Sequence, residues 1–231
     1  MIVVIRAASL AISCCLLVAT PATGASTADG LVRVTAPGID EAFLWPGADF
    51  RPYAKVLLKG VAVAFEKNWL RDANRRGATL SGRVTHENAE RTLESARAGF
   101  DDAWAASFRS AGYGVVEIPG DDVILVSPTV VDLVVNAPER STSGIERDYL
   151  MQAGEATLDV ELRDSATGRL LARFRDRRPT MKSPTPRRAD AAFTNRAFER
   201  LFGHWAAMAV RELSALRALS PPVAPPGADR D

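Results

Sequence analysis

Residues 154–178, GEATLDVELRDSATGRLLARFRDRR, limit the fold more than any other stretch of this chain. Ala156, Leu158, Val160 and Leu162 alternate with Glu155, Thr157, Asp159, Glu161 and Arg163. That is the period of two of a strand with one buried face. After a Ser-Ala-Thr-Gly turn, Leu170, Ala172 and Phe174 alternate with Arg173, Arg175 and Arg177. Gly168 can take positive φ without a Cβ clash. A three-residue loop of Ala166, Thr167 and Gly168 then sets both apolar rows on one face. This register places Glu161 opposite Arg173 and Asp159 opposite Arg175, pairs that contribute roughly 0.2–1 kcal/mol each. A slip by one residue would bury the charges, so the register is well specified.

Arg173, Arg175 and Arg177, followed by Arg178, are candidate partner-binding residues for an anionic surface. The alternative is a solvated strand face already paired with its acidic neighbours, and the facing acids favour it.

The chain has 231 residues, enough for one domain with a real core. It carries 29 Lys and Arg against 28 Asp and Glu, and Arg6 is its only charge before residue 29. An exported form would therefore have no net charge to draw it to nucleic acid or to an anionic membrane. Residues 1–25, MIVVIRAASLAISCCLLVATPATGA, have an early Arg, a short apolar run and a small-residue region, the layout of a secretory signal. The run is shorter than the about 20 residues that span a bilayer. Both cysteines, Cys14 and Cys15, lie inside it. Removal of the signal leaves no cysteine and so no disulfide or thiolate site. The alternative is a lipid anchor by acylation at Cys14.

Residues 26–50 show no clear period and read as an N-terminal arm. Residues 53–65, YAKVLLKGVAVAF, read as a central strand, and 67–82 as a polar link. Thr85 caps a helix expected over 86–111, whose Leu93, Phe100, Trp104 and Phe108 form one stripe. A short strand follows at 113–118, then a Pro-Gly-Asp-Asp turn and a β-branched run at 123–136. Pro128 within that run points to an edge or a bulge. Residues 137–153 and 179–190, the second basic and Pro-rich, read as long exposed loops. A last helix over 194–219 buries Phe198, Phe202, Trp205 and Leu213, and a Pro-rich tail occupies 220–231. The expected domain, 51–219, is α/β (α+β): a two-layer sandwich of one mixed, mostly antiparallel sheet of about five strands with two long helices on one face.

The order of segments resembles the bacterial lipoprotein family catalogued as domain of unknown function 3313. The resemblance is carried by YAKVLLKGVAVAFEKNW at 53–69, GYGVVEIPGDDVILV at 112–126, the hairpin at 154–178 and the helix with Trp205 before its Pro-rich end. It covers about residues 43–219 and implies an exported envelope protein, often lipid-anchored, with no assigned activity. The family supplies no catalytic residues.

The residues themselves show little chemistry. Two histidines, His86 and His204, fall short of the three or four ligands of a zinc site. There is no Gly-x-Ser-x-Gly elbow, dinucleotide loop or Walker run. Adjacent Asp121 and Asp122 belong to a turn. No catalytic residue, metal ligand or cofactor is assigned. Trp104, Phe108, Phe202 and Trp205 either line an apolar ligand pocket or form core. The leading expectation is a non-catalytic periplasmic or outer-membrane-associated protein that binds an unknown envelope protein, as an assembly accessory. A carrier of an apolar small molecule is the alternative, and a carboxylate-dependent hydrolase is the third class.

Overall fold

A computed structural model describes residues 29–76, 83–136, 149–188 and 190–220. The expected signal with Cys14 and Cys15, residues 137–148 of the first long loop, and the tail from 221 on lie outside the described residues.

The hairpin forms as its alternation dictates. Strand β8 (Gly154–Asp164) pairs antiparallel with β9 (Leu170–Pro179), with Glu161 opposite Arg173 and Asp159 opposite Arg175. Gly168 takes φ +73° at the turn, where the Thr167 amide and hydroxyl both donate to Asp164 Oδ1 at 2.7 Å. Alternate side chains from Ala156 to Leu162, with Ala172 and Phe174 facing them, are buried on one face, and a bulge near the turn inserts Leu171 so that Leu170 pairs with Arg163.

On the far side of β8 lies β6 (Val123–Val135). It is central, although it contains Pro128. The segment expected as one strand at 53–65 is broken into β3 (Lys55–Leu58) and β4 (Ala62–Phe65), both parallel to β6. Leu58 pairs with Val126 and Ala62 with Thr129, so Pro128 falls at the break. A residue without an N–H is tolerated where the ladder on that side is interrupted.

The expectation of about five strands and two long helices is overturned. Among the described residues the main sheet has eight strands, and a second sheet has two. The arm supplies β1 (Val32–Val34) and β2 (Glu41–Leu44), which extend the sheet beyond β9. Strand β5 (Gly114–Val116) closes the opposite edge, parallel to β3. The path is β1-β2-β9-β8-β6-β3-β5, with β4 on β6. Strands of three or four residues are too short to display a period, so the arm looked structureless. The long loops provide β7 (Tyr149–Leu150) and β10 (Arg187–Arg188), which pair with each other.

Among the described residues there are three helices. The added one, α1 (Trp69–Arg76), lies in the segment expected as a polar link. It is anchored by Trp69, whose ring stacks on Phe65 at 3.8 Å and whose Nε1 donates to the Val135 carbonyl. Helix α2 (His86–Ser110) starts at a capping box of Thr85 and Asn88. Helix α3 (Ala191–Leu219) starts at Asp190, whose carboxylate accepts from the Phe193 amide at 2.8 Å. The two long helices pack together through Phe100 and Phe202, 5.3 Å apart in an edge-on contact. Gly154 permits the close approach beneath α3, because a Cβ there would lie 1.9 Å from the Val134 carbonyl and 3.0 Å from the Phe198 ring.

Candidate functional site

The hairpin arginines stand on the sheet face away from the helices, and each meets an acid. Arg173 bridges Glu161 and Asp29, both at 2.9 Å. Arg175 reaches Asp159 at 3.2 Å and Asp132 at 4.0 Å. Arg177 reaches Glu155 at 2.8 Å. Burial alone would push the Glu161 carboxyl up, but hydrogen bonds from Arg173 and Arg163 outweigh it and hold the carboxyl below its usual range. At Asp159 burial wins over the Arg175 and Arg173 charges, and its carboxyl is pushed up. The face is therefore an interlocked, self-neutralised ladder, with little charge left for a partner.

Arg178 turns to the other side. Its Nε donates to Asp176 at 2.6 Å, and its guanidinium also reaches the Gly38 carbonyl. Asp176 is buried and takes a second hydrogen bond, 2.8 Å, from Trp205 Nε1. This buried carboxylate pins α3 to the sheet.

Trp104, Phe108, Phe202 and Trp205 are all fully buried. Trp104 stacks on Phe100 at 4.8 Å, and Phe202 on Trp205 at 6.2 Å. The cavity beside them measures about 40 Å³, and of the four only Phe202 lines it. A water molecule's share of liquid volume is about 30 Å³, so this space suits a water rather than a lipid chain or an aromatic ligand. Asp122, one of the adjacent acids, pairs with Lys55 at 2.9 Å. Among the described residues no group of three His, Cys, Asp or Glu side chains could hold a metal ion.

The two long loops meet. Arg188 pairs across the small sheet with Tyr149, and Arg187 with Leu150. The Ser183 amide donates to the Met151 carbonyl at 2.7 Å, and Thr180 closes the base by donating its hydroxyl to the Gly154 carbonyl at 3.0 Å. The cap so formed lies against the first turns of α3. Between them runs a groove of about 490 Å³ lined by Lys182, Arg187, Arg188, Arg196 and Arg200, with Met181 and Phe193 beside them. Among the described residues its one acid is Asp190, whose carboxylate is engaged at the helix start. No acidic side chain of the described residues pairs with any of these five cations. Met181 is 76 % exposed, Tyr149 58 % and Met151 47 %.

The sequence marks part of this groove through the basic, Pro-rich character of 179–190. Arg196 and Arg200, one helical turn apart, look in the sequence like an ordinary solvated helix face. Only the pairing of β7 with β10 and their seat on α3 brings the five cations together.

No family model matches the chain, and no curated protein matches it. Among solved structures, the chain is similar to a Xanthomonas campestris protein of domain-of-unknown-function family 330, at 16% identity and a TM-score of 0.40, over 77% of this chain and 91% of that one. It is also similar to PelC from Paraburkholderia phytofirmans, described as a dodecamer, at 13% identity and a TM-score of 0.38, over 74% of this chain and 97% of that one. Among the described residues no helix is long and apolar enough to cross a membrane.

Proposed function

We propose that this chain is an exported, non-catalytic envelope protein that binds an anionic partner through the groove between the β7·β10 cap and α3. One observation carries this reading: among the described residues, five cations line a groove whose one acid is already engaged, whereas the hairpin arginines are neutralised by facing acids. Uncompensated like charge held in a concave surface raises the local concentration of opposite charge and speeds its capture. A chain with a formal net charge of only +1 thus keeps a cationic site by clustering. Export is supported by the signal-like segment 1–25 and by the resemblance to an envelope lipoprotein family.

The test is crosslinking in intact cells. Arg187→Gln, Arg188→Gln, Arg196→Gln and Arg200→Gln together should abolish crosslinks formed from position 185, while Arg175→Gln leaves them intact. Equal crosslinking by both variants refutes the groove as the contact. The mass of the protein recovered from the envelope tests export separately: it should begin near Ser26 or Asp29, or carry acyl chains on Cys14.

A further inference from the structure

We propose that the anionic partner is a membrane surface, with the groove cations on lipid phosphates and the exposed apolar side chains of the cap among the headgroups. The inference rests on the reading of the groove as an anion-binding surface, and it names the class of anion. Cations alone would suit any polyanion. The second observation is where the exposed apolar residues lie. Met181 lines the groove itself. Tyr149 is the cross-strand neighbour of Arg188, so the two side chains share one face of the small sheet. Met151 is tied to the same loop by the hydrogen bond from the Ser183 amide. Three of the five large apolar side chains exposed among the described residues therefore sit on this cap. Aromatic and apolar tips beside Lys and Arg match the headgroup boundary, where one end of a side chain is dry and the other wet.

The shape agrees with a surface contact rather than a buried ligand. The groove is partly open to solvent, and the neighbouring cleft that Phe202 lines holds about 40 Å³. Arg196 and Arg200 stand at i and i+4 on α3, and Arg187 and Arg188 project from opposite faces of a short strand. This spreads the charge over several phosphates instead of focusing it on one.

The experiment is flotation of the protein recovered from the envelope with two kinds of vesicle: phosphatidylcholine alone, and phosphatidylcholine mixed with phosphatidylglycerol. The ratio of the two partition coefficients removes the contribution of an acyl anchor, should Cys14 carry one. Each cation near an anionic surface contributes about fivefold in partitioning. The wild type should therefore prefer anionic vesicles by 100-fold or more, on the order expected for several such contacts, and lose the preference at high salt. The four-Gln variant should lose the preference, and Arg175→Gln should keep it. Met181→Ser with Met151→Ser should lower partitioning while leaving the fold, followed by circular dichroism, unchanged.

Equal binding to both vesicles by the wild type overturns the proposal. So does a preference that survives in the four-Gln variant. Competition by millimolar inorganic phosphate with no vesicle preference would assign the groove to a free anion. Binding of a DNA duplex without vesicle binding would assign it to a polyanion. If vesicles fail but the four-Gln variant still loses its cellular crosslinks, the groove stands as a contact and only the lipid assignment falls.

Discussion

Asp176→Ala should be among the most damaging single changes to the stability of this protein. The carboxylate is 1 % exposed and holds two partners at once, Trp205 Nε1 at 2.8 Å and Arg178 Nε at 2.6 Å. Trp205 is itself fully buried, so its N–H cannot turn to water once the acceptor is gone. An orphaned buried donor costs about 1–3 kcal/mol. Losing one partner of a buried ion pair costs about 3–5 kcal/mol. That second figure must be discounted here, because the Arg178 side chain is 32% exposed and also binds the Gly38 carbonyl. A loss of about 3 kcal/mol follows from the two terms. For a domain of 150–250 residues each kcal/mol moves Tm by about 2–4 °C, so Tm should fall by about 6–12 °C. Urea titration gives the free energy directly. Trp205→Phe removes the donor together with the five-membered ring, and the cycle cancels the packing loss, so the double variant should lose about 1–2 kcal/mol less than the sum of the singles. Asp176→Asn, which still accepts from Trp205, should fall between wild type and Asp176→Ala. A loss under about 0.5 kcal/mol for Asp176→Ala, or strict additivity with Trp205→Phe, would refute the claim that this carboxylate pins α3 to the sheet.

Other changes test other parts of the fold. Gly154→Ala puts a Cβ 1.9 Å from the Val134 carbonyl, a backbone atom that cannot rotate away, so it should cost about 3 kcal/mol or more in urea titration. Thr85→Ala removes the acceptor of the Asn88 amide and should cost about 1 kcal/mol, read by thermal melting. Acid should separate the two ladder carboxylates. Glu161 has a lowered folded pKa, so its contribution is full above its unfolded value and drains as pH falls through the folded one. Glu161→Gln should flatten the loss of stability below about pH 4.5. Asp159 has a raised folded pKa and therefore the opposite sign, so Asp159→Asn should cost less at neutral pH and leave that acid limb in place.

What could be read from the sequence was whatever repeats over enough residues to show a period. The hairpin register, with Glu161 facing Arg173, follows from an alternation sustained over 11 residues in β8 and 10 in β9. The stripes of α2 and α3 run over 25 and 29 residues and place Phe100, Trp104, Phe202 and Trp205 correctly on buried faces. Strands β1 and β5, three residues each, carry no such signal, and α1 is mostly polar apart from its Trp69 anchor. The break between β3 and β4 hides in a run that is apolar on both sides of Lys59 and Gly60. Charge is legible only in part, for a different reason. Arg173, Arg175 and Arg177 are conspicuous in one strand, but their acids come from β8, from the β6 bulge at Asp132 and from Asp29. The cations that no acid among the described residues pairs with are spread over two segments, 182–188 and 196–200, and net charge averages them away.

The cap has a mechanical consequence. Strand β7 leads into β8, and β10 follows β9, so both legs of the cap leave the same open end of the hairpin. Thr180 staples those legs together through the Gly154 carbonyl and the amides of Ala153 and Gly154. A pull on the cap therefore runs lengthwise along β8 and β9 together. It loads the ladders to β6 and β2 in shear, where many hydrogen bonds yield at once, instead of peeling them singly. A surface that tugs at this end draws on the strongest direction of the sheet.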